Sequence, residues 1–436
     1  MRTTSFLLGA LALTLTAAAG CNDGSPGPDP GGECHDADTP GCVIMSDKQR
    51  VQSPDVPAED LQALVTGNTT FALDLYQQLK GEPGNLFYSP HSISMALAMA
   101  WAGARGQTET DMANVLGFKM TQEKTHAAFN ALDQALASRG QGAQGADGQG
   151  FRLNIANAMW AQVGFPFETS FLDTLGTNYG AGVHVVDFEA QTTQAIDLIN
   201  GWVSDRTEQR IQELVNDQVV TPDTRFVLTN AIYFNAAWAE PFEDENTEDG
   251  KFTLLDDTTV TVPMMHGYQE TGYADGDGFQ ALELPYDGGE LSMVLVLPDA
   301  GTFADFEASL DAARMDEIAG SLGGYGVSIT MPKFEFDASF NLSKSLKALG
   351  MESAFDGADF SGMSKEGLVI TDVVHKSFVS VSEEGTEAAA ATAVIGGTTS
   401  APEPAEITLD HPFLFFIRDK ATGAILFVGR IQDPSN

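Results

Sequence analysis

Side-chain catalysis needs a nucleophile, a base or a metal-ligand set at a recognisable spacing, and this 436-residue chain offers few. It has no G-x-S-x-G elbow, H-E-x-x-H, C-x-x-C or Walker loop. The seven histidines are scattered. His375 lies inside an apolar, strand-like run, LVITDVVHKSFVSVS (368–382), where a hydrogen-bonded core role fits better than a general base. Asp275-Gly276-Asp277-Gly278 lacks the twelve-residue ligand spacing of a calcium loop and reads as a turn. No metal site, cofactor or enzymatic activity is expected.

What remains is chemistry done to the chain. Residues 383–400, EEGTEAAAATAVIGGTTS, suit neither a core strand nor a well-built helix. As a helix, the stretch would be capped by Thr386, carried by Ala388, Ala389, Ala390 and Ala391, and stopped by Gly396-Gly397. As a strand, it would put Thr386, Ala388, Ala390, Thr392, Val394 and Gly396 on one face, an uncharged and mostly small row, with Glu387 on the other. A segment that slips between the strands of a packed sheet needs such a row, because bulk or charge could not enter.

A net charge of −39, from 61 acidic against 22 basic residues, argues against nucleic acid or another polyanion as a partner. Residues 1–20 read as an export signal: Arg2, an apolar run over 6–15 too short to span a membrane, then small residues. Ala18-Ala19-Gly20-Cys21 is similar to a bacterial lipoprotein processing box in which Cys21 is lipidated, although Leu is commoner where Ala18 stands; ordinary signal cleavage is the alternative. Residues 21–57, rich in Gly, Pro and Asp, have the composition of a flexible tether. Cys34 and Cys42 are candidates for a disulfide in an exported protein, with a Cys34, His35, Cys42 metal site as the less favoured reading.

The elements around residues 383–400 follow from periodicity. Residues 60–80 show helical spacing, and a short strand near 86–88 leads through Ser89-Pro90 into a nearly all-apolar helix. A further helix is expected over 121–138, the low-complexity run 140–150 as a surface loop, a strand over 153–161 and a helix over 169–179. RFVLTNAIYFNAAWAEPFE (225–243) is apolar enough to be a strand buried on both faces. Strands follow at 251–262, 280–285 and 292–298, a helix at 304–321, and a hairpin at 411–434 turned near 419–423.

Several of these blocks carry a family resemblance. Asn85 to Ser92 (NLFYSPHS), the Leu228, Asn230, Tyr233, Phe234, Trp238, Pro241 and Phe242 pattern, the 199–215 block and the 411–434 hairpin are similar to motifs of the serpins, the serine-protease-inhibitor superfamily. The resemblance covers roughly 58–434 as one domain. It implies an α+β fold with three β-sheets, eight or nine surrounding helices and an exposed reactive-centre loop at about 383–404. It places Ser89, Ser92, Asn230 and His375 in a polar cluster under the middle of the large sheet. Trp238, Lys333 and Glu383 are placed at its top, where insertion begins.

The implied activity is suicide inhibition of a protease: the loop is cut as substrate, and the freed segment, with its hinge at Glu383, Glu384, Gly385, Thr386 and the residues to Thr392, enters the sheet as a new strand. The resemblance implies a scissile bond seventeen residues from the first hinge Glu, counting Glu383, which is Thr399-Ser400 in this sequence. A small β-branched residue there favours an elastase-like or subtilisin-like serine protease, with a cysteine protease as a further target class. A monomer without a heparin-type site is expected, since the only cations near the 121–138 helix are Lys124 and Arg139. A non-inhibitory serpin acting as a surface binding protein is the rival reading, and the uncharged row at Thr386 to Thr392 argues against it.

Overall fold

The computed structural model describes residues 41–386 and 404–435. Its centre is β5 (Phe226–Ala237), the run expected to be buried on both faces. Leu228, Ile232 and Phe234 join the main core on one side, while Val227 and Ala231 lie in a second cluster with Trp202 and Ile199 of α6 (Thr192–Arg206) on the other. Alternation along one strand thus feeds two apolar layers.

β5 lies mid-way in a seven-stranded sheet ordered β1 (Cys42–Ile44), β4 (Val183–Val186), β3 (Arg152–Gln162), β5, β13 (Gly385–Thr386), β12 (Asp372–Val381) and β11 (Phe334–Asn341). Hydrogen bonding joins the remaining strands into a nine-stranded array: β14 (Ala405–Thr408), β10 (Gly323–Pro332), β7 (Thr259–Gly276), β8 (Phe279–Pro285), β9 (Leu291–Pro298), β15 (Phe413–Asp419), β16 (Ile425–Ile431) and β2 (Leu86–Tyr88), with β6 (Glu248–Thr253) also on β7. The second and third of the three expected sheets run into one another because β7, 18 residues long, pairs with β6 and β10 along most of its length and with β8 at its end.

Nine α-helices occur among the described residues: α1 (Ala58–Leu79), α2 (Pro90–Trp101), α3 (Gly106–Val115), α4 (Gln122–Ala137), α5 (Thr169–Tyr179), α6, α7 (Phe303–Ser309), α8 (Ala312–Ser321) and α9 (Ser343–Leu346). Every residue of α2 is buried, which suits a helix apolar all round that packs against β3, β5 and β16 between the two sheets. Ser89 caps it by accepting from the Ser92 N–H, and Pro90 opens its first turn. The helix expected over 304–321 is two helices, because Asp311 turns extended and caps α8 through the Arg314 N–H.

The tether expected over 21–57 is corrected for residues 41–57. β1 pairs antiparallel with β4, in register Cys42 to Val185, and caps the edge of the seven-stranded sheet. Beyond it, Ser46 donates to Asp173 at 2.6 Å and Lys48 pairs with the same carboxylate at 2.8 Å. Arg50 reaches Asn130 at 2.8 Å and Asp133 at 2.5 Å, and the Val51 N–H donates to the Thr177 carbonyl at 2.9 Å. A Cβ at Gly182 would collide with the Ile44 carbonyl, so the domain surface is shaped to the segment. Composition misled here because the anchoring is polar, and polar residues also make tethers. Cys42 is buried and disulfide-bonded; Cys21 and Cys34 lie outside the described residues. Arg50→Ala is expected to destabilise the domain by about 1.5–3 kcal/mol, the range of hydrogen bonds to charged groups. Urea unfolding checks it, and an unchanged midpoint would show that the segment is not fastened there.

Candidate sheet-opening site

Two gates lie on the seam between β5 and β12. Along the lower part the strands pair directly and in parallel, from Asp372 opposite Val227 to Ser377 opposite Ile232. Higher up they part around β13, where Thr386 lies between Ala236 and Val381 and Gly385 pairs with Ala237. A Cβ at Gly385 would run into the Ala236 carbonyl, so only glycine fits this entry point.

The lower gate is the polar cluster. His375 Nε2 accepts from the Ser89 N–H at 3.2 Å, which leaves the proton on Nδ1 to donate to Asn230 Oδ1. Asn230 Nδ2 donates to Ser92 Oγ and to Asn157 Oδ1, and Ser92 Oγ donates to Asn157 Oδ1 at 3.0 Å. Ser377 donates to the Phe87 carbonyl at 2.6 Å. Ser89, Ser92, Asn230, Ser377 and His375 are fully buried. Burial lowers the His375 pKa to about 3, so the imidazole is neutral. The four residues expected to meet do meet. Asn157 and Ser377 were missed, although a lone Asn in the apolar run ANAMWA was the available signal.

The upper gate holds the hinge. Trp238 Nε1 donates to the Ser382 carbonyl at 3.0 Å, and the Trp238 N–H to the Glu384 carbonyl at 2.8 Å. The Phe242 N–H donates to the Glu383 carbonyl at 2.9 Å. Glu383, 4% exposed, is bound by Lys333 Nζ at 2.6 Å and the Thr247 hydroxyl at 2.6 Å. Burial opposes its ionisation, but the Lys333 and Thr247 bonds outweigh that and hold its pKa below the usual carboxylate range. The Glu384 pKa is raised by burial and by neighbouring Asp244 and Glu383.

Thr386 is 1% exposed, and its hydroxyl meets the Tyr286 hydroxyl at 2.8 Å. Tyr286, stacked on Trp238 with centroids 4.7 Å apart, was missed, because a single Tyr after a strand carries no pattern. The low-complexity run 140–150 is a surface loop, as expected, and it packs at the same rim. Ala143 and Ala146 are buried, and the Ala237 N–H donates to the Gln144 carbonyl at 3.1 Å. Thr386 is therefore strand, not a helix cap, and faces inward as the strand parity requires. Glu387, Ala388, Ala389, Ala390, Ala391, Thr392, Thr399 and Ser400 lie outside the described residues.

The sheet is thus bonded below, parted above, and holds the first two residues of the following segment between its parted strands. The model of the Serpin (serine protease inhibitor) family matches residues 66–434. A serpin-like protein of Thermococcus kodakarensis is 41% identical over 378 residues, covering 86% of each chain. Human leukocyte elastase inhibitor is 37% identical over 388 residues, covering 86% of this chain and all of that one. Among solved structures, the thermophilic serpin tengpin in its native state matches with a TM-score of 0.78 at 26% identity, covering 89% of this chain and 97% of its own. The chain belongs to the serpin family.

The gate histidine has a pH consequence. Burial lowers the pKa of His375 to about 3, of His126 to about 3 and of His91 to about 4. All lie below the roughly 6.5 of a free imidazole. Stability from these neutral rings is full above about pH 6.5 and is lost as the unfolded chain takes up protons below it. The thermal midpoint is expected to hold from pH 8 to 7 and to fall by about 5 °C or more by pH 4. A midpoint unchanged at pH 4 would contradict the neutral assignment.

Proposed function

We propose that the chain is an inhibitory serpin that traps an elastase-like or subtilisin-like serine protease, with cysteine proteases as a further target class. The observation that carries this reading is β13, the hinge already lodged between β5 and β12 with an uncharged side chain facing the core. Extended down the sheet without a bulge, that register sets Ala388, Ala390, Thr392 and Val394 opposite Phe234, Ile232, Asn230 and Leu228. On the other side they meet Val379, Ser377, His375 and Val373. Ala388 and Val394 fall at apolar levels, Ala390 falls between Ile232 and Ser377, and Thr392 arrives at the polar gate, where its hydroxyl can take over bonds that the parting of His375 and Asn230 breaks. Glu387 falls on the opposite face.

In the reaction, the protease serine Oγ attacks the Thr399 carbonyl, the Thr399–Ser400 bond breaks, and the new Ser400 amine leaves with the proton from the protease base. The ester that remains is carried away as residues 387–399 enter the sheet. At about 3.3 Å per residue the acyl end travels roughly 40–50 Å. The uncleaved form is held kinetically by the two gates.

We also infer export as a monomer with Cys21 lipidated and the residues before Gly41 serving as the tether. Mass spectrometry of the mature N-terminus tests this; an unmodified terminus near residue 19 would exclude it. Mixing with pancreatic elastase or subtilisin should yield a complex that survives denaturant. Turnover of the chain by every protease tried, with no complex, would instead favour a non-inhibitory surface binding protein. Thr386→Arg should convert inhibitor to substrate, because an arginine cannot enter the buried position against Tyr286. Thr392→Val should raise the moles of serpin consumed per protease trapped about two-fold or more, since the gate amide or imidazole is left unpaired. Equal stoichiometry would remove Thr392 from the gate.

A further inference from the structure

β1 begins beside a groove at the outer edge of the seven-stranded sheet. Cys42 pairs with Val185, Val43 with His184, and His184 with Trp160 on the next strand. The His184 ring stacks on Trp160 with centroids 4.3 Å apart, and Trp202 of α6 stands across the two at 5.4 and 5.8 Å. Along α6, Leu198, Trp202 and Arg206 are spaced four apart and so form one stripe. Leu198 is 36% exposed, and the Arg206 guanidinium lies 5.0 Å from the centroid of the Trp202 ring. Between this stripe and β4 is a cavity of about 60 Å³ whose lining includes Gly41, Cys42, Trp160, His184, Leu198 and Trp202. Small-molecule sites run to roughly 300–1,000 Å³. The space suits a few side chains of a peptide segment.

The chain itself supplies such a segment. The Gly41 N–H donates to the Val185 carbonyl at 2.6 Å, and a Cβ on Gly41 would sit 3.8 Å from the Leu198 side chain. The residues that precede β1 therefore arrive on the α6 side of the groove. Gly41 has a φ of +87°, the conformation of the third residue of a type II turn, and residue 40 is proline, which suits the second. Such a turn sends the preceding residues back along the groove. Cys42 is disulfide-bonded, and the chain has two other cysteines, Cys21 and Cys34. Joining Cys42 to Cys34 closes residues 34–42 into a ring at less cost in chain entropy than the longer ring to Cys21, and Cys21 is the residue assigned above to lipid.

Charge fits as well. The short ring carries Asp36 and Asp38. Asp38 is four residues from Cys42 and so lies within about 14 Å of it. Arg206 is one helical turn, about 6 Å, past Trp202, which shares the cavity with Cys42. Acidic residues outnumber basic ones by 61 to 22, so an arginine in reach of the ring is a specific complement to it.

α6 is also the cover of the seam. Its Ile199, Trp202 and Val203 share one apolar cluster with Val227 and Ala231 of β5 and Val374 of β12. Past α6, Lys376 Nζ donates to the Glu213 carbonyl at 3.3 Å, which carries the cover onto β12.

We propose that Cys34 is the partner of Cys42 and that the ring 34–42 docks on this groove, its carboxylates toward Arg206, clamping α6 to the sheet edge while the disulfide is intact. The tether then ends at Cys34. Reduction, in which a dithiol gives two electrons and two protons to the disulfide and becomes a disulfide itself, releases the ring and loosens α6. The hold of the cover over the seam thus follows the thiol balance of the surroundings. The choice of Cys34 draws on the lipidation reading, and the docking does not depend on the trapping of a protease.

The test uses the full mature chain. Peptide mapping without reductant should find Cys34 joined to Cys42; Cys21 joined to Cys42 would overturn the ring. Hydrogen exchange read by mass spectrometry should show α6 amides exchanging about ten-fold or more faster in dithiothreitol than without it, with buried α2 as the unchanged reference. Asp36→Lys combined with Asp38→Lys, which leaves the disulfide in place, should speed α6 exchange about three-fold or more. Equal α6 exchange with and without dithiothreitol in a chain mapped as Cys34–Cys42, or wild-type exchange in the lysine variant, would overturn the docking. An unmodified Cys21 beside an intact Cys34–Cys42 bond would overturn lipidation alone, and the lack of any protease complex would overturn the inhibitory reading alone.

Discussion

A strand can join a sheet only where two neighbours are not yet bonded to each other, and β5 and β12 meet that condition above Ser377. From Asp372 to Ser377 the two strands satisfy one another directly. Above Ser377 their edges would face an open slot, and unpaired backbone groups in a buried sheet cost free energy comparable to lost hydrogen bonds. β13 fills the top of that slot with two residues. The six pairs below it form the barrier that must be broken before more can enter.

The two gates differ in chemistry because they do different work. The upper one is ionic and aromatic. Lys333 neutralises a nearly buried Glu383, and Trp238 and Tyr286 wall the entry against which Thr386 rests. The lower one is neutral, made of amides, hydroxyls and an imidazole that burial keeps uncharged. An ion pair at the centre of the sheet would leave two desolvated charges when the strands part. A neutral network loses only hydrogen bonds, and an incoming hydroxyl can replace them. Joined to Ser89 and Ser92 at the start of the buried helix α2, that network ties the seam of the sheet to the interior helix.

Much of this was legible in the sequence wherever one physical rule acted alone. Unbroken apolarity marked β5 as a strand covered on both sides, and period-2 alternation set the inward face of Thr386. His375 inside an apolar run pointed to a hydrogen-bonded core residue, and the family resemblance joined it to Ser89, Ser92 and Asn230. What escaped were partners whose role is set only by tertiary position. Asn157 matters because β3 places it opposite Asn230, and Tyr286 because a turn lays it on Trp238. Composition misled at residues 41–57, where small and polar residues read as solvent-borne chain, and the surface loop expected at 140–150 is pinned to the rim. Both segments are held by hydrogen bonds to named partners, and the alanines at 143 and 146 fit the rim because they are small.

That loop bears on how the opening is shaped. A bulky loop over the top of β5 would cover the entry at Gly385, whereas a glycine-rich one can fold flat and bond its own backbone to the strand end. The Ala146 N–H donates to Asn235 Oδ1 at 2.8 Å, and Asn235 in turn donates to the Tyr233 hydroxyl at 3.2 Å. Beside them, Arg152 pairs with Asp147 and Glu208. The rim on the β3 side is therefore fixed by its own bonds and gains nothing from β13. On the other side, Trp238 and Phe242 donate their backbone N–H groups to the hinge itself, at Glu384 and Glu383. On the proposed reading, the hinge rather than the scaffold is the element whose bonds would be remade as the seam opens.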